Sequence, residues 1–343
     1  MKKSDWRLES GEWRLEMKDK RNKMGDRKCG IGVTFYLPSA ICYLLFVFII
    51  SYLLSPICLS AVGATSSEFL LLPKGARAAA MSGSLASVDD GSNSIFYNPA
   101  AIGLQRQQNI CLSHSEWLED INFENIAYSM PLTKKIAVGF GIEYLGISEI
   151  EGKENQTSPT SQFNASDLAI DLGVSCSINK KIAVGLSTKY IEQKIDTEKS
   201  YSVSLDIGGI YTKKINSYRI VSIGISVENI PAKEPEFIDE VENLPTKLVT
   251  GVSYKPLDEI LLLSTDLTLM KNSKPAANFG TEVFIYDILS IRAGYKLDTS
   301  FERLARITFG TGLVLGSLSV DYAYLPFEPL TDTHIFSLSF KFD

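Results

Sequence analysis

Residues 167–178 read DLAIDLGVSCSI, and their period is two. Leu168, Ile170, Leu172, Val174, Cys176 and Ile178 fall on one face of an extended chain. Asp167, Ala169, Asp171, Gly173, Ser175 and Ser177 fall on the other. Such a strand presses one face into apolar surroundings and turns the other toward something polar. The alternation returns in KIAVGFGIEY (135–144), KIAVGLSTKY (181–190) and YSVSLDIGGIY (201–211).

Followed in both directions, it makes fourteen runs, near 108–117, 121–131, 135–146, 166–178, 181–194, 200–212, 218–229, 246–255, 260–270, 276–286, 289–297, 303–315, 317–325 and 334–342. Many exceed the usual strand length in water and suit a tilted crossing of a bilayer. A soluble sandwich would carry Lys, Glu and Thr on its outer face. Here the polar face is mostly Gly, Ala, Ser and Asp, which suits a narrow, crowded lumen. Tyr144, Tyr190, Tyr211, Tyr254, Tyr286 and Tyr295 stand at strand ends, where a membrane girdle needs aromatic rings.

Loop lengths separate the two architectures independently. The odd-numbered junctions include ISEIEGKENQTSPTSQFN (147–164), NIPAKEPEFIDEVENLP (229–245) and LPFEPLTDTH (325–334). Even-numbered junctions are short, as in PLTKK, INKK, KPLDE, YDI and LGS. Short turns on one side and long loops on the other are the parity of an outer-membrane barrel. The terminal HIFSLSFKFD alternates Phe336, Leu338, Phe340 and Phe342 like the strand read by barrel-insertion machinery, although Asp343 follows the last aromatic. The expected fold is all-β: a fourteen-stranded antiparallel transmembrane β-barrel over 108–343, with an N-terminal hatch or plug over 65–107.

The hatch expectation rests on composition. Residues 65–107 do not alternate, and their Ala, Ser and Gly favour close backbone packing. Ala76 to Ala80 can start a short helix, and Ser92 can cap a second holding Ile95, Phe96 and Tyr97. Pro99 holds Asn98 extended and opens a third turn that Gly103 can close.

Residues 1–64 read as an extension and signal peptide that is removed. Basic residues are dense up to Lys28, no charge follows until Glu68, and ICYLLFVFIISYLL (41–54) is an h-region. Val62 and Ala64 occupy the −3 and −1 positions of a cleavage site. The basic stretch is long for a signal peptide, which makes Met24 a candidate start. An uncleaved inner-membrane anchor is the rival reading. Ten basic and six acidic residues precede position 65, so 24 basic and 34 acidic remain, a net charge of −10. Nucleic acid is therefore not an expected partner.

Little of the chain suggests chemistry. The five cysteines include no C-x-x-C pair, and His114 and His334 are the only imidazoles, so no zinc or other cofactor is expected. The two histidines fall on the first and last strands, which meet when a barrel closes. Ser113 and Ser115 flank His114 but point to the other face, which argues against a nucleophile–base pair. Asp89 and Asp90 read as turn and helix-cap residues, with a carboxylate dyad or calcium site as the rival. The region 75–83 lacks a phosphate-loop pattern. Glu143, Asp171, Lys189, Asp206, Asp266, Glu282, Arg292, Lys296 and Asp321 all face inward. They read as a salt-bridge network fixing the hatch through Arg77, or as a solute pathway. The acidic loop 231–245 is either solvated or a docking surface.

KGARAAAMSGSLASVDDGSNSIFYNPAAIG (74–103) closely resembles the N-terminal hatch signature of the PorV/PorQ family, relatives of the FadL fatty-acid channels. Gly75, Ala76, Arg77, Ala78, Ala79, Asp89, Asp90, Tyr97, Asn98, Pro99 and Ala100 match it; Ser82 replaces the first Gly of a pair that Gly83 completes. DYAYLPFEPLTDTHIFSLSFKF (321–342) resembles the family's closing hairpin, without the Gly that commonly precedes its loop. The resemblance implies a fourteen-stranded outer-membrane barrel and a structural or gating role for Gly75, Arg77, Asp89, Asp90, Asn98 and Pro99. It implies a non-enzymatic component of type IX-like secretion or surface attachment, with secreted cargo or secretion-system proteins as partners. The alternatives are a FadL-like passive transporter of hydrophobic small molecules, with such a ligand, and a structural surface protein. Outer-membrane lipid and the barrel-assembly machinery are the remaining partners implied.

Overall fold

The computed structural model describes residues 4–9, 12–17, 66–117, 121–152, 161–237, 240–257, 260–271, 273–298, 307–326 and 332–342. The chain divides into two units, Met1–Ser55 and Pro56–Asp343. In the first, Ser4–Glu9 and Glu12–Met17 pair as an antiparallel hairpin, aligning the two halves of the near-duplicated WRLESGEWRLE. The expected h-region at 41–54 and cleavage site lie outside the described residues, and no described helix is long and apolar enough to cross a membrane.

The second unit is a closed barrel of fourteen antiparallel strands. They are β1 (Gln108–Glu116), β2 (Asn122–Pro131), β3 (Ile136–Gly152), β4 (Ser161–Ser177), β5 (Ile182–Ile195), β6 (Glu198–Asn216) and β7 (Arg219–Lys233). The ring continues with β8 (Lys247–Leu257), β9 (Leu261–Met270), β10 (Ala276–Ile285), β11 (Leu289–Asp298), β12 (Ile307–Leu315), β13 (Leu318–Leu325) and β14 (Thr333–Phe342). Each strand pairs with its sequence neighbours. β14 closes the ring on β1, with Leu338 opposite Leu112 and Phe336 opposite His114. Closure leaves no unpaired edge, as a strand structure in hydrocarbon requires.

The period-two reading sets the faces. In the 167–178 stretch Leu172, Val174 and Ile178 are exposed on the outside, while Ala169, Asp171 and Ser175 are buried inside. Tyr144, Tyr190, Tyr211 and Tyr295 also point outward. The largest departure from expectation is length. β3 and β4 extend to Gly152 and back from Ser161, with a register shift between Ile147 and Ile150. The apolar alternation breaks near 146, where Gly146 and Ser148 take the positions of the apolar face, yet the backbone ladder continues. β6 and β7 likewise outrun their apolar segments.

Residues 66–107 form no strand. A 3₁₀ turn at Glu68–Leu71, the short helix α1 (Ala76–Ala80), and 3₁₀ turns at Gly91–Phe96 and Pro99–Leu104 pack against inward-facing wall residues. Five buried apolar clusters join this segment to the wall. Phe69 and Leu70 meet Phe123, Leu145 and Ile191 near the long-loop end. Ala76, Ala79 and Ala80 meet Ala323 and Ile335. Met81 and Leu85 meet Leu262, Ile95 and Phe96 meet Ala127, and Ala100 meets Ile210. Fully burying a side chain the size of Phe69 or Leu70 contributes roughly 1.5–3 kcal/mol.

Two local expectations are corrected. Ser92 does not cap the second turn; it lies within it, and its backbone N–H and hydroxyl both donate to Asn109 Oδ1 of β1 at 2.7 Å. Gly103 does not close the third turn, which runs to Leu104. A Cβ at 103 would stand 2.5 Å from Ser175 Oγ, so the glycine there serves close approach to the wall.

Candidate functional site

The site is the contact between residues 66–107 and the inner wall. A non-repetitive segment inside a barrel must find partners for its backbone groups away from water. Wall hydroxyls supply many of them. Ser175 Oγ donates to Ala100 O at 3.0 Å, Ser177 Oγ to Gly103 O at 2.8 Å, Ser253 Oγ to Ser87 O at 3.1 Å and Thr308 Oγ1 to Ala80 O at 3.0 Å. Ala76 N–H donates to Ser337 Oγ at 2.7 Å. The small polar face read from the strands is thus a row of hydrogen-bonding groups for the segment.

Asn98 is fully buried. Its Oδ1 accepts from Ala100 N–H at 3.0 Å, capping the turn that Pro99 opens, and its Nδ2 donates to Ala86 O at 2.7 Å and Gly209 O at 3.3 Å. Gly208 permits this approach, because a Cβ there would lie 2.0 Å from Asn98 Oδ1. Asp266 of β9 holds the same region by accepting from Ala86 N–H at 2.8 Å.

Two charged anchors sit three residues apart in the segment and reach opposite walls. Arg77 makes a bidentate pair with Glu282 of β10, Nε to Oε1 at 3.0 Å and Nη2 to Oε2 at 2.6 Å. Its Nη1 donates to Asp90 Oδ1 at 3.0 Å and to Asp89 O at 2.8 Å. Behind it, Arg292 of β11 donates from Nε to Glu282 Oε1 and from Nη1 to Asp321 Oδ1 of β13, both at 2.6 Å. Lys74 faces the other way, with Nζ 3.4 Å from Glu143 Oε2 of β3 and donating to Leu70 O. β3 and β10 are seven strands apart in a ring of fourteen, so Lys74-Gly75-Ala76-Arg77 forms a crossbar over the lumen. Gly75 adopts φ +90°, and a Cβ there would strike Asn93 Nδ2 at 2.5 Å. A left-handed residue between the anchors is what lets the crossbar turn at that point.

Beyond Lys74 lies a second cluster. Lys189 of β5 stands 3.6 Å from Asp171 of β4, 3.7 Å from Asp206 of β6 and 3.9 Å from Glu143. It donates to Asn229 Oδ1 at 3.2 Å. Asp206 accepts from Asn229 N–H at 2.6 Å and Ser187 Oγ at 3.3 Å. Both oxygens of Glu143 and of Asp171 are buried without a hydrogen-bond donor.

Burial sets the protonation of the segment's charges. It lowers the Lys74 ammonium to about 8, with Glu143 pulling the other way and Lys189 adding to the lowering. It raises the Asp90 carboxyl to about 6 against the opposing pull of Arg77.

Seven of the nine inward charges expected from sequence thus fall into two groups: Glu282, Arg292 and Asp321 with Arg77 and Asp90; Glu143, Asp171, Asp206 and Lys189 with Lys74. Lys296 of β11 is half-buried and belongs to neither. Asp266 joins neither group and holds backbone instead. Asp89 serves a turn, its Oδ1 accepting from Gly91 N–H at 3.0 Å, whereas Asp90 pairs with Arg77 rather than capping through its side chain. Lys74 escaped the sequence reading because nothing in FLLLPKGAR distinguishes a buried lysine from a solvated one; its place between an apolar turn and Gly75 was the available signal. His114 and His334 sit outward on neighbouring strands. His114 Nδ1 is 2.6 Å from Glu124 Oε1 and His334 Nδ1 is 2.8 Å from Tyr322 Oη. Ser113 turns inward to Ser337. The acidic loop folds back over the segment's start, with Leu244 buried beside Phe69 and Ser66 N–H donating to Asn243 O at 3.0 Å. Among the described residues no group of three or more His, Cys, Asp or Glu is arranged to hold a metal.

Known proteins agree with this architecture. Solved structures include the toluene transporter TbuX of Ralstonia pickettii, at 14% identity and TM-score 0.57 over 80% of this chain and all of that one. The toluene transporter TodX of P. putida gives 12% and 0.58 over 78% and 98%. A FadL homologue of Pseudomonas aeruginosa gives 10% and 0.51 over 79% and 98%. Identities this low establish a shared barrel fold. No curated protein matches the sequence. The family model "Type IX secretion system protein PorV" matches residues 60–270, which take in the whole crossbar segment and the first nine barrel strands entire. The chain belongs to the PorV family of outer-membrane β-barrels.

Proposed function

We propose that this protein is a non-catalytic component of type IX secretion whose barrel is sealed by its own N-terminal hatch. On this reading residues 1–64 are the targeting extension removed on export, 65–107 the hatch and 108–343 the barrel. Gly75, Arg77, Asp89, Asp90, Asn98 and Pro99 set the hatch conformation. Glu143, Asp171, Asp206, Asp266, Glu282, Arg292 and Asp321 receive it. The observation that carries the reading is the crossbar: a segment tied to opposite walls and cemented by five apolar clusters fills the lumen instead of lining a passage. A sealed barrel presents its rim and loops as working surface, which suits a protein that holds secreted cargo or another secretion protein. Native gel electrophoresis of tagged protein from its own cells tests this. Co-migration with a secretion-system protein or a cargo protein is the expected result, and a lone barrel in cells actively secreting cargo overturns it.

The fold shared with the toluene transporters favours a second reading, passive passage of hydrophobic molecules. The charged and hydroxylated inner wall opposes it, because an apolar solute would have to pass desolvated carboxylates. Toluene or long-chain fatty-acid uptake into vesicles holding the purified protein, raised by Glu282→Ala, would establish that reading instead.

A further inference from the structure

A cavity of about 420 Å³ opens at the short-turn end of the barrel, between the end of the crossbar segment and strands β10 to β14 and β1. The chain enters β1 and leaves β14 at this end, which is the periplasmic end of an outer-membrane barrel. Its size lies within the range of about 300–1,000 Å³ typical of small-ligand sites. Three charged side chains on its wall form no salt bridge among the described residues. Asp89 is exposed and its carboxylate serves only Gly91 N–H. Arg106 is exposed and makes one long contact, to Gln105 O at 3.5 Å. Lys341 near the end of β14 is exposed and forms no side-chain ion pair among the described residues.

The floor is built rather than open. Asn109 is 4% exposed and lines the cavity. Its Oδ1 takes both donors of Ser92, which fixes the amide orientation and leaves Nδ2 as a free donor at the cavity wall. Arg292 and Asp321 close the far side as a matched pair.

Opposite charges outside any salt bridge, around a buried amide donor, suit a ligand carrying both signs and an amide backbone. A phosphate would face Asp89, Asp90 and Asp321. An apolar solute would desolvate all of them, and a sugar would find Phe284 as the one aromatic ring for stacking among the lining residues. We propose that this cavity binds a short peptide with free ends: Asp89 receives the ammonium, Arg106 and Lys341 receive the carboxylate, and Asn109 Nδ2 donates to a backbone carbonyl. The site stands apart from the secretion reading, since it needs no partner protein.

Saturation-transfer NMR on the detergent-purified protein, titrated with trialanine, tests it. Saturable binding is expected, weakened at least about tenfold when the peptide is N-acetylated and C-amidated, since each lost charge-assisted contact is worth about 1.5–3 kcal/mol and 1.4 kcal/mol is tenfold. The double variant Asp89→Asn/Arg106→Gln should show the same loss, and Asp89→Asn keeps the acceptor that Gly91 uses. Lys341→Gln supplies a second variant outside the crossbar segment, and heat-modifiable gel mobility shows that each variant is folded. No saturable binding, equal binding of the capped peptide, tighter binding of chitobiose, or undiminished binding by the folded variants would overturn the proposal.

Discussion

The two ends of the crossbar hold the same segment by different means. At Arg77 every bond is short and directional: a bidentate pair to Glu282, a shared carboxylate with Arg292, and Asp321 behind it. At Lys74 the charges are gathered but not joined, with separations of 3.4–3.9 Å and four carboxylate oxygens lacking donors. The planar guanidinium fork meets two acceptors at once, whereas an ammonium shared among several carboxylates meets none of them well. The first end therefore fixes geometry. The second holds three acids, Glu143, Asp171 and Asp206, against two lysines, so acids outnumber bases by one among groups that are almost wholly buried. Such an arrangement restrains position while costing stability.

That contrast can be broken at the tight end first. Glu282→Ala strands Arg77 and Arg292 in the lumen and should cost about 3–5 kcal/mol. It should lower the urea midpoint followed by tryptophan fluorescence and expose residues 66–107 to protease; an unchanged midpoint would deny Glu282 its anchoring role. Asn98→Ala attacks the neutral contact between the ends. It leaves Ala86 O and Ala100 N–H without their side-chain partner, for a loss of about 1–3 kcal/mol by the same assay. Asp171→Asn, at the loose end, should leave stability within about 1 kcal/mol of the parent or raise it, because it removes the excess acid, whose oxygens have no donor; a loss as large as that of Glu282→Ala would erase the distinction.

The smallest effect expected is a pH slope. The Lys74 value is depressed to about 8 by burial, so between about 8 and its unfolded value near 10.4 the unfolded chain binds more protons than the folded one. Stability should therefore rise across that window in the parent relative to Lys74→Met, and stay level below it. Asp90, raised to about 6, works in the opposite sense. Its folded form binds more protons between the unfolded value near 3.9 and about 6, so its contribution falls as pH rises through that interval. Unfolding midpoints at intervals from pH 4 to 10.5 in parent, Lys74→Met and Asp90→Asn would resolve both slopes.

Most of the barrel was legible because its signal is local. Leu168 through Ile178 declare two faces within twelve residues, and fourteen such runs with alternating loop lengths leave few ways to close. What was missed follows from the same locality. The extensions of β3, β4, β6 and β7 carry no apolar alternation, so their pairing is stored in the backbone ladder alone. Ser92 looked like a cap because Asn109, its real partner, lies beyond the turn on another element.

By itself, then, the sequence determined the strand faces, the strand number, the closed ring and a compact small-residue segment before it, since each follows from residue periodicity and chain entropy over short spans. The tertiary structure alone decided which charge meets which. Arg77 and Glu282 are 205 positions apart, and Lys74 could reach Glu143 only once a ring of fourteen had set β3 opposite β10. Ionic pairing depends on distances of a few ångströms, and those exist only after the barrel has closed around the segment.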